Sequence, residues 1–442
     1  MTAQPRPSVK QAVRQQLRHD LLAQLEQLFD ALPEDLEAFE QAEAQLRSGL
    51  LVMARQLLQC WTQAARRAAD RPRCPHCDVP MRHKGHVRTT LVSTLGDVAY
   101  RRPRWRCEGC GSECYPHDAA VRFAGHGVSW LLAKVCSRVA AQIPSFAEAR
   151  DALREDYGVR LATETVRAIA EAAGQQVLDQ EDAHRAAVAS GAADLPQCAA
   201  APEQAYLYAD GTMVHSAGDW HEVRVNVVRT QDAQGRPLAR RSQARFLPPA
   251  AMGWLLVLMA RSVGYQNARL RVFIADGAAW LWKLQQEYFG GAIAILDWYH
   301  LAEKVHFAAH GLYGEGTAEA AQWAGQLQEE LWEGRAEAVL EQVRAVEARA
   351  RAPAKRAAVH ALRTYLENQM GHVDYPRYRA LGLAVGSGPV EGACKSLVGA
   401  RCKQAGMRNW TYAGAEGVLR LRAARQDGVF DDLWNRRLRI AA

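Results

Sequence analysis

Three carboxylates lie where metal-dependent phosphoryl transfer would need them. Asp210 and Asp276 each follow a short apolar, strand-like run and precede a glycine. Glu391 ends the segment Gly-Ser-Gly-Pro-Val-Glu, whose proline suits the first turn of a helix. Carboxylates from strand ends and a helix can hold two divalent ions roughly 4 Å apart, which activate a nucleophile and stabilise a leaving oxygen. Each Asp-Gly taken alone is equally typical of a turn after a strand, but the three together favour a catalytic site.

The composition is that of a globular protein of two to four domains. The chain has 442 residues, 49% hydrophobic and 23% charged, which is enough to bury a large core. No apolar run approaches the ~18 residues that span a bilayer, and the N-terminus lacks a secretory pattern. We therefore expect a cytoplasmic protein without a membrane partner. In that setting the ten cysteines are expected to be metal ligands or buried thiols.

Positive charge is clustered. The net charge is +7, but residues 71–106 alone hold nine basic and two acidic residues, and residues 391–425 hold seven and two. Such clustering favours a polyanionic partner. Either cluster taken alone is equally consistent with a solvated basic surface.

Two Cys-x-x-Cys pairs bracket two β-like segments. Paired turns of this kind at the ends of a hairpin place four thiolates around a tetrahedral zinc ion. The predicted ligands of this closed, structural zinc site are Cys74, Cys77, Cys107 and Cys110. The alternative is four free cysteines on loops.

The hairpin between the cysteine pairs interleaves basic and aromatic residues, which suits phosphate contacts and stacking. The predicted DNA contacts there are Arg101, Arg102, Arg104 and Trp105.

Helical patterns precede and follow this hairpin. Residues 11–29 and 36–69 form two amphipathic helices without chemistry of their own. A capped helix over 145–156, a turn at Gly158 and a helix from Thr163 have the helix-turn-helix layout. Thr165 and Arg167 would face outward from the second helix to read DNA. A generic helical hairpin is the alternative.

After an Ala/Pro linker at 191–202 the pattern changes to strands. Three early strands and then alternating helices and strands predict a mixed sheet with helices packed on it. Residues 301–366 are helical and separate the last strand from Glu391. We interpret them as an insertion.

Five motifs resemble those of DDE transposases with an RNase H-like core, most closely bacterial insertion-sequence transposases of the ISKra-four type. They are YLYADGTMV, WHEVRVNVV, VFIADGAAW, ILDWYH and GSGPVEGACKSLVGARCKQAGMRNW. The resemblance covers about residues 70–440. It implies that Asp210, Asp276 and Glu391 bind two magnesium or manganese ions and form the catalytic triad.

The segment Asp297-Trp298-Tyr299-His300 fits a (C/D)xxH signature that many such transposases carry after the second aspartate. Asp297 also follows a strand, so it competes with the triad as a ligand, or it is only a helix cap. We expect Asp297 to orient His300 or a metal ligand, or to contact a flipped base or a phosphate near the cut.

Basic residues continue after Glu391, where they would contact the transposon end beside the metal ions. They are Lys395, Arg401, Lys403 and Arg408, together with Trp410. The alternative is a solvated basic helix face.

The fold class expected from these patterns is mixed α/β, with an RNase H-like core and a helical insertion. The expected regions are an N-terminal helical hairpin (1–70), a zinc ribbon (71–120), a helix-turn-helix-like region (121–200), the first part of the core (201–300), the insertion (301–380) and the last part of the core with a basic C-terminus (381–442).

The function implied is a nucleoid-associated DNA transposase. It would bind terminal inverted repeats and target double-stranded DNA, and catalyse strand cleavage and strand transfer. Because two ends must be paired, a homodimer or larger assembly is expected. Two alternatives stay open, a DNA-binding regulator whose triad is vestigial and a metal-dependent nuclease on the same fold.

Overall fold

The computed structural model describes residues 9–64, 71–404, 407 and 409–435. The chain separates into two compact units, Met1–Ala173 with Trp434–Ala442 and Gly174–Leu433. Both contain helices and a sheet, so the predicted mixed α/β class is confirmed. Within the described ranges, no helix combines the length and apolar character that crossing a bilayer requires. The finer division into six regions stays a prediction.

The first unit opens with two helices that pack against each other. A short connection joins them, so they form an antiparallel hairpin. A Cβ placed on Gly49 would lie 2.7 Å from the Leu28 side chain, which shows how closely the two helices approach. The helices of this unit are α1 (Val9–Asp30), α2 (Phe39–Ala64), α3 (Pro116–Val121), α4 (Trp130–Gln142), α5 (Phe146–Tyr157) and the first part of α6 (Thr163–Ala189).

The predicted capped helix and glycine turn are confirmed in α5. The Ser145 hydroxyl accepts a hydrogen bond from the Glu148 amide at 3.0 Å. Gly158 ends the helix at φ +64°, in the left-handed region that glycine adopts readily. The turn therefore leads directly into α6.

The strands of the first unit form a three-stranded antiparallel sheet. They are β1 (Arg82–Ser93), β2 (Gly96–Arg106) and β3 (Glu113–Cys114), in the order β1-β2-β3. The long β1–β2 hairpin carries the basic residues, and a bulge interrupts its register between His83 and His86.

The second unit is built on a five-stranded mixed sheet, which confirms the predicted sheet type. Its order is β6-β5-β4-β7-β8. The first three strands in sequence pair antiparallel, and β7 and β8 run parallel to β4. The strands are β4 (Gln204–Ser216), β5 (Asp219–Gln231), β6 (Pro237–Arg245), β7 (Leu270–Ala275) and β8 (Ile293–Leu296).

Strand β4 is longer than the sequence indicated. The sequence placed Asp210 at a strand end, but β4 continues to Ser216 because β5 pairs with it along its whole length. The parallel pairing with β7 does end, at Tyr208. Asp210 therefore lies inside β4 but beyond the last residue that its parallel neighbour covers.

The helices of the second unit after β6 are α7 (Pro249–Arg261), α8 (Ala279–Phe289), α9 (Trp298–Tyr313), α10 (Ala318–Trp332), α11 (Ala336–Arg349), α12 (Pro353–Gln369), α13 (Tyr375–Ala380), α14 (Gly388–Ala393), α15 (Ala400–Cys402), α16 (Tyr412–Gln426) and α17 (Phe430–Leu433). Helices α9 to α12 form the predicted helical stretch before Glu391, and α7, α8, α14 and α16 pack against strands of the sheet. A π-helical segment, Cys394–Gly399, separates α14 from α15.

A substitution at the contact between α6 and α16 tests the packing of the second unit. A Cβ on Gly174 would lie 2.1 Å from the carbonyl oxygen of Gly417. We expect Gly174→Ala to destabilise the protein by about 1–3 kcal/mol through overpacking. Urea unfolding followed by circular dichroism measures this.

The matched control is Gly325→Ala on α10, where an added Cβ meets nothing within 4 Å. There the substitution should stabilise the protein by roughly 0.5–1 kcal/mol, since alanine restricts the unfolded chain and favours helix. Equal effects at the two positions would contradict the close α6–α16 packing.

Candidate functional site

The four predicted cysteines converge on one point. Cys74 Sγ lies 3.4 Å from Cys110 Sγ, and Cys77 Sγ lies 3.3 Å from Cys107 Sγ. All four sulfur atoms lie within 4.8 Å of one another. Four thiolates at ~2.3 Å from a tetrahedral zinc ion would be roughly 3.8 Å apart. The cluster can therefore bind a structural metal such as zinc.

Two turns of the same design present these thiols. In one, the Asp78 amide donates to the Cys74 carbonyl at 2.9 Å, and in the other the Gly111 amide donates to the Cys107 carbonyl at 3.0 Å. Asp78 and Gly111 both adopt positive φ, +53° and +74°. The equivalent backbone of the two turns explains why each Cys-x-x-Cys pair directs both sulfur atoms inward.

Ser112 supports the thiolate form that binds metal. Its hydroxyl lies 3.1 Å from the sulfur atoms of both Cys74 and Cys110. Hydrogen bonding from this hydroxyl lowers the pKa of Cys74 to about 5. Met81 and Trp105 pack against the cluster. Four sulfur ligands fill a tetrahedral site, so the site is structural rather than catalytic.

A second group of residues forms at the carboxyl ends of the parallel strands. Tyr208 of β4 is level with Ile274 of β7, which is level with Ile295 of β8. Two residues after Tyr208, Ile274 and Ile295, in the same order across the sheet, come Asp210, Asp276 and Asp297. Neighbouring strands are ~4.8 Å apart. Three aspartates thus stand side by side at one edge of the sheet.

Asp297 is the buried member of this row. Its Oδ1 accepts from the backbone amides of Tyr299 (3.1 Å) and Ser387 (3.2 Å). Its Oδ2 lies 2.6 Å from His300 Nδ1 and 2.5 Å from Ser387 Oγ. Burial opposes ionisation of Asp297, but these bonds outweigh it and lower its pKa. The carboxylate is fully occupied by donors from the protein.

Ser387 joins Asp297 to Glu391. Its hydroxyl lies 2.9 Å from Glu391 Oε1 as well as contacting Asp297. Ligand atoms of Asp297, His300 and Glu391 consequently lie within 4.8 Å of one another. We interpret this group as a hydrogen-bonded network rather than a metal site, because donors of the protein already contact both oxygens of Asp297. Glu391 shares the single hydroxyl hydrogen of Ser387 with Asp297 and is the freer ligand.

The charges of Asp210 and Asp276 act on His300. The hydrogen bond that His300 donates to Asp297 is the largest effect and, with the charges of all three aspartates, it raises the pKa of His300 to about 9. Burial raises the pKa of Asp210, and the nearby charge of Asp276 adds to that effect. Two acidic side chains with mutual repulsion are thus balanced in part by one protonated histidine.

Cys394 completes the surroundings of Asp210. Its thiol donates to Asp210 Oδ2 at an S···O distance of 3.6 Å. Burial and the negative charge of Asp210 raise the pKa of Cys394 to about 12, so the group stays protonated. The thiol therefore helps to fix the orientation of this carboxylate.

Helix α12 supports the turn that carries Asp276. The Tyr365 hydroxyl donates to the Asp276 carbonyl at 2.7 Å, and Gln369 Nε2 donates to the Gly277 carbonyl at 2.9 Å. Gly277 adopts φ +95°, where other residues are strained. The helical insertion thereby holds one of the predicted ligands in place.

The sequence alone did not identify Ser387, Cys394, Tyr365 or Gln369. Ser387 lies in the glycine- and proline-framed segment that drew attention to Glu391, so a signal existed. Nothing in the spacing connects Tyr365 with Asp276, because the contact joins residues far apart in the chain.

On the β1–β2 hairpin, the predicted DNA contacts differ in their availability. Arg102 forms a salt bridge with Asp118, and Arg104 forms one with Glu113. Trp105 packs on the cysteine cluster. Arg101 is exposed and stands directly opposite exposed Arg88, a residue that the sequence analysis did not single out. Like charges facing each other across a hairpin repel, and an anion bound between them would relieve that repulsion.

The remaining predicted contacts fall into three groups. Thr165 is half-buried on α6, and Arg167 is exposed there with a 2.5 Å salt bridge to Glu164. Lys395 is exposed, and Lys403 is exposed and donates to the Thr212 hydroxyl. Arg401 and Trp410 are buried, with the guanidinium 5.0 Å from the indole ring centre, so neither is available to DNA. Arg408 lies outside the described residues.

The cysteine cluster predicts one zinc ion per purified chain. Cys107→Ser should abolish zinc binding and unfold the sheet of β1–β3, because this small sheet has little core of its own. Metal analysis by mass spectrometry and circular dichroism would measure the two effects.

Cys198→Ser is the control, since Cys198 belongs to the second unit and is not one of the four clustered cysteines. It should retain the full zinc content. A freshly purified, reduced wild-type protein without zinc would contradict the assignment.

No protein-family model matches this chain, and no curated protein matches it significantly. What the chain does is therefore inferred from the two sites themselves.

Proposed function

We propose that this chain is a DDE-type DNA transposase that cuts and joins DNA strands by metal-dependent phosphoryl transfer. The observation that carries the proposal is the row of Asp210, Asp276 and Asp297 just beyond the parallel pairing of β4, β7 and β8, with Glu391 connected to it through Ser387. In open α/β sheets, ligands bind outside the carboxyl ends of the strands. The acidic residues that the motif resemblance implies as catalytic, Asp210 and Asp276, belong to this row, and Glu391 is connected to it.

The arrangement of the sheet supports an RNase H-like core. Three consecutive antiparallel strands are followed by two strands parallel to the first of them. The acidic residues stand where the parallel strands end. This is the placement that the resemblance implies for a DDE core.

The side chains suit hard divalent cations. Carboxylate oxygens are the ligands that magnesium and manganese prefer. Asp210, Asp276 and Glu391 would hold the ions, which when bound supply Lewis acidity and activate water. The repulsion between Asp210 and Asp276 would be relieved by a cation. Asp297 is the less suitable ligand, because donors of the protein already contact both of its oxygens.

The surrounding residues orient the carboxylates. Ser387 fixes Glu391, and Cys394 fixes Asp210. Protonated His300 offers positive charge next to Asp210 and Asp276, where negative charge develops on a phosphate during attack. In the proposed reaction a water oxygen attacks a backbone phosphorus and the 3′ oxygen leaves. The freed 3′-hydroxyl then attacks a phosphorus of target DNA and displaces the 3′ oxygen of the target strand, which leaves as a hydroxyl after taking up a proton.

DNA binding is assigned to exposed basic residues. Arg88 and Arg101 on the hairpin would contact phosphates, and so would Lys395 and Lys403 after Glu391. Thr165 and Arg167 on α6 stay candidates for reading the transposon end. Two ends must be held together, so an assembly of copies is part of the proposal.

The catalytic assignment is tested by isosteric substitutions. Asp210→Asn, Asp276→Asn and Glu391→Gln should each lower cleavage of end-containing DNA at least about a thousand-fold in the presence of magnesium or manganese, because each removes a ligand charge. DNA binding should stay within about two-fold of wild type. Gel-based cleavage and filter-binding assays measure both.

Glu303→Gln is the control, since Glu303 is an exposed carboxylate on α9, outside the row. It should cleave normally. Strand transfer by any of the three site variants at the wild-type rate would refute the triad. Wild-type protein that cuts without joining would indicate the nuclease, and binding without cutting would indicate the regulator.

The assignment of phosphate contacts to the hairpin is tested by comparing the exposed Arg88 and Arg101 with Arg104, which is paired with Glu113. Arg88→Ala with Arg101→Ala should weaken binding to all DNA sequences. It should also reduce the slope of log K against log salt concentration by roughly 2, since two phosphate contacts are lost. Arg104→Ala removes the same charge from a residue already paired with Glu113, and should have a smaller effect.

Fluorescence anisotropy over a range of salt concentrations compares these variants. An unchanged salt dependence in the double variant would place the phosphate contacts elsewhere.

A further inference from the structure

Large apolar side chains contact solvent along one stripe of α2. Five of them are exposed by between 37% and 65%. At 100° per residue, all five fall within an arc of about 60° on the helix. They are Phe39, Leu46, Leu50, Leu57 and Trp61. A 26-residue helix with such a stripe is amphipathic, yet its apolar side faces water.

Helix α1 carries a matching stripe. Leu22, Leu25 and Phe29 are exposed by 54%, 43% and 74%. They also fall within an arc of about 60°. Both helices of the hairpin therefore keep apolar side chains that their mutual packing does not cover.

The two stripes lie on the same side of the hairpin. Leu28 meets Gly49, and these residues mark the faces that the two helices turn toward each other. On each helix the exposed stripe is rotated about the helix axis by roughly a quarter turn from that face. On both helices the rotation has the sense in which the chain winds from its N-terminus to its C-terminus. Because the helices are antiparallel, the same sense of rotation brings both stripes to one side. We call the eight exposed residues of these stripes the hairpin face.

The area of the hairpin face matches that of a stable interface. At roughly 200 Å² for a fully exposed large apolar residue, its eight residues expose roughly 800 Å². Stable protein interfaces bury about 800 Å² on each partner. Exposed apolar patches of this size mark interaction sites.

The charges around the hairpin face distinguish possible partners. Residues 22–61 contain seven acidic and two basic residues, which disfavours DNA or an anionic membrane. Exposed Glu26 and Glu43 flank the face nearer the connection between the helices, whereas exposed Arg14 and Arg18 extend it at the other end of α1. A copy rotated by 180° would bring each acidic end against a basic end.

We propose that the hairpin face is the docking site for a second copy of this chain. The two hairpins lie against each other in opposite directions, related by a two-fold axis, and form a four-helix bundle. The apolar stripes form its core, and the oppositely charged ends set its direction. This inference stands on the surface alone and does not depend on the proposed chemistry.

The oligomeric state of the full-length protein tests the proposal. Sedimentation equilibrium of wild type should give a dimer with a micromolar or lower Kd. Leu50→Glu with Leu57→Glu places charge in the middle of the face and should raise that Kd at least about 100-fold. Val52→Glu is the matched control, because Val52 is 41% exposed on the opposite side of α2 and should leave the dimer intact.

Charge reversal tests the direction of docking and does not require a core substitution. Arg14→Glu with Arg18→Glu, and Glu26→Arg with Glu43→Arg, should each weaken self-association. Mixing these two variants should restore a heterodimer. Circular dichroism and zinc content of every variant should equal those of wild type.

A monomeric wild-type protein at tens of micromolar would overturn the proposal, and would leave another protein or another part of this chain as the occupant. A dimer that survives Leu50→Glu with Leu57→Glu would also overturn it. Failure of the mixed variants to associate would refute the opposed direction. A monomer would also contradict the assembly that strand joining needs, but none of these outcomes bears on DNA cleavage by the acidic row, so the hairpin face and the cleavage chemistry are tested separately.

Discussion

The candidate catalytic site depends on the hydrogen bonds of the buried Asp297 carboxylate. It binds donors from the start of α9 and from the loop before α14, and it directly follows β8. A charge buried at this depth without hydrogen-bond partners would destabilise the fold by several kcal/mol. The end of β8, the start of α9 and the loop before α14 must therefore all be in place for Asp297 to be buried as a carboxylate. The position of Glu391 relative to the sheet is therefore set by the hydrogen bonds of a residue that is itself unavailable to a metal ion.

The register of the parallel strands supplies the second constraint. Side chains in a parallel pair stand level with each other, so a fixed offset between β4, β7 and β8 is enough to align their three aspartates. A slip by one residue would turn one carboxylate to the opposite face of the sheet. Residues 205–209 of β4 are buried on both faces of the strand, so a slip would put Tyr206 or Tyr208 in the place of the smaller Leu207 and both sides of the core would have to repack.

Features that depend on neighbouring residues could be predicted from the sequence. The cap at Ser145, the glycine turn at Gly158 and the paired cysteines all follow from local spacing, and all are present. Features that depend on distant partners could not. Strand β4 runs past Asp210 because β5 pairs with it, and Tyr365 bonds the Asp276 carbonyl from 89 residues away. A count of charges likewise gives no sign that Asp118 neutralises Arg102.

The π-helical segment after Glu391 has a consequence for how this part of the chain tolerates change. Cys394–Gly399 holds one more residue per turn than an α-helix would. The wider turn accommodates an extra residue without turning the helix on either side of it, so losing one residue there would restore regular winding and leave Lys403 near Thr212. Losing one residue from a neighbouring α-helical turn would instead turn everything downstream by roughly 100° about the helix axis and move it about 1.5 Å along it. The π-helical segment is therefore the place where a one-residue deletion would least disturb the distance between the proposed metal ligands and the basic residues that follow them.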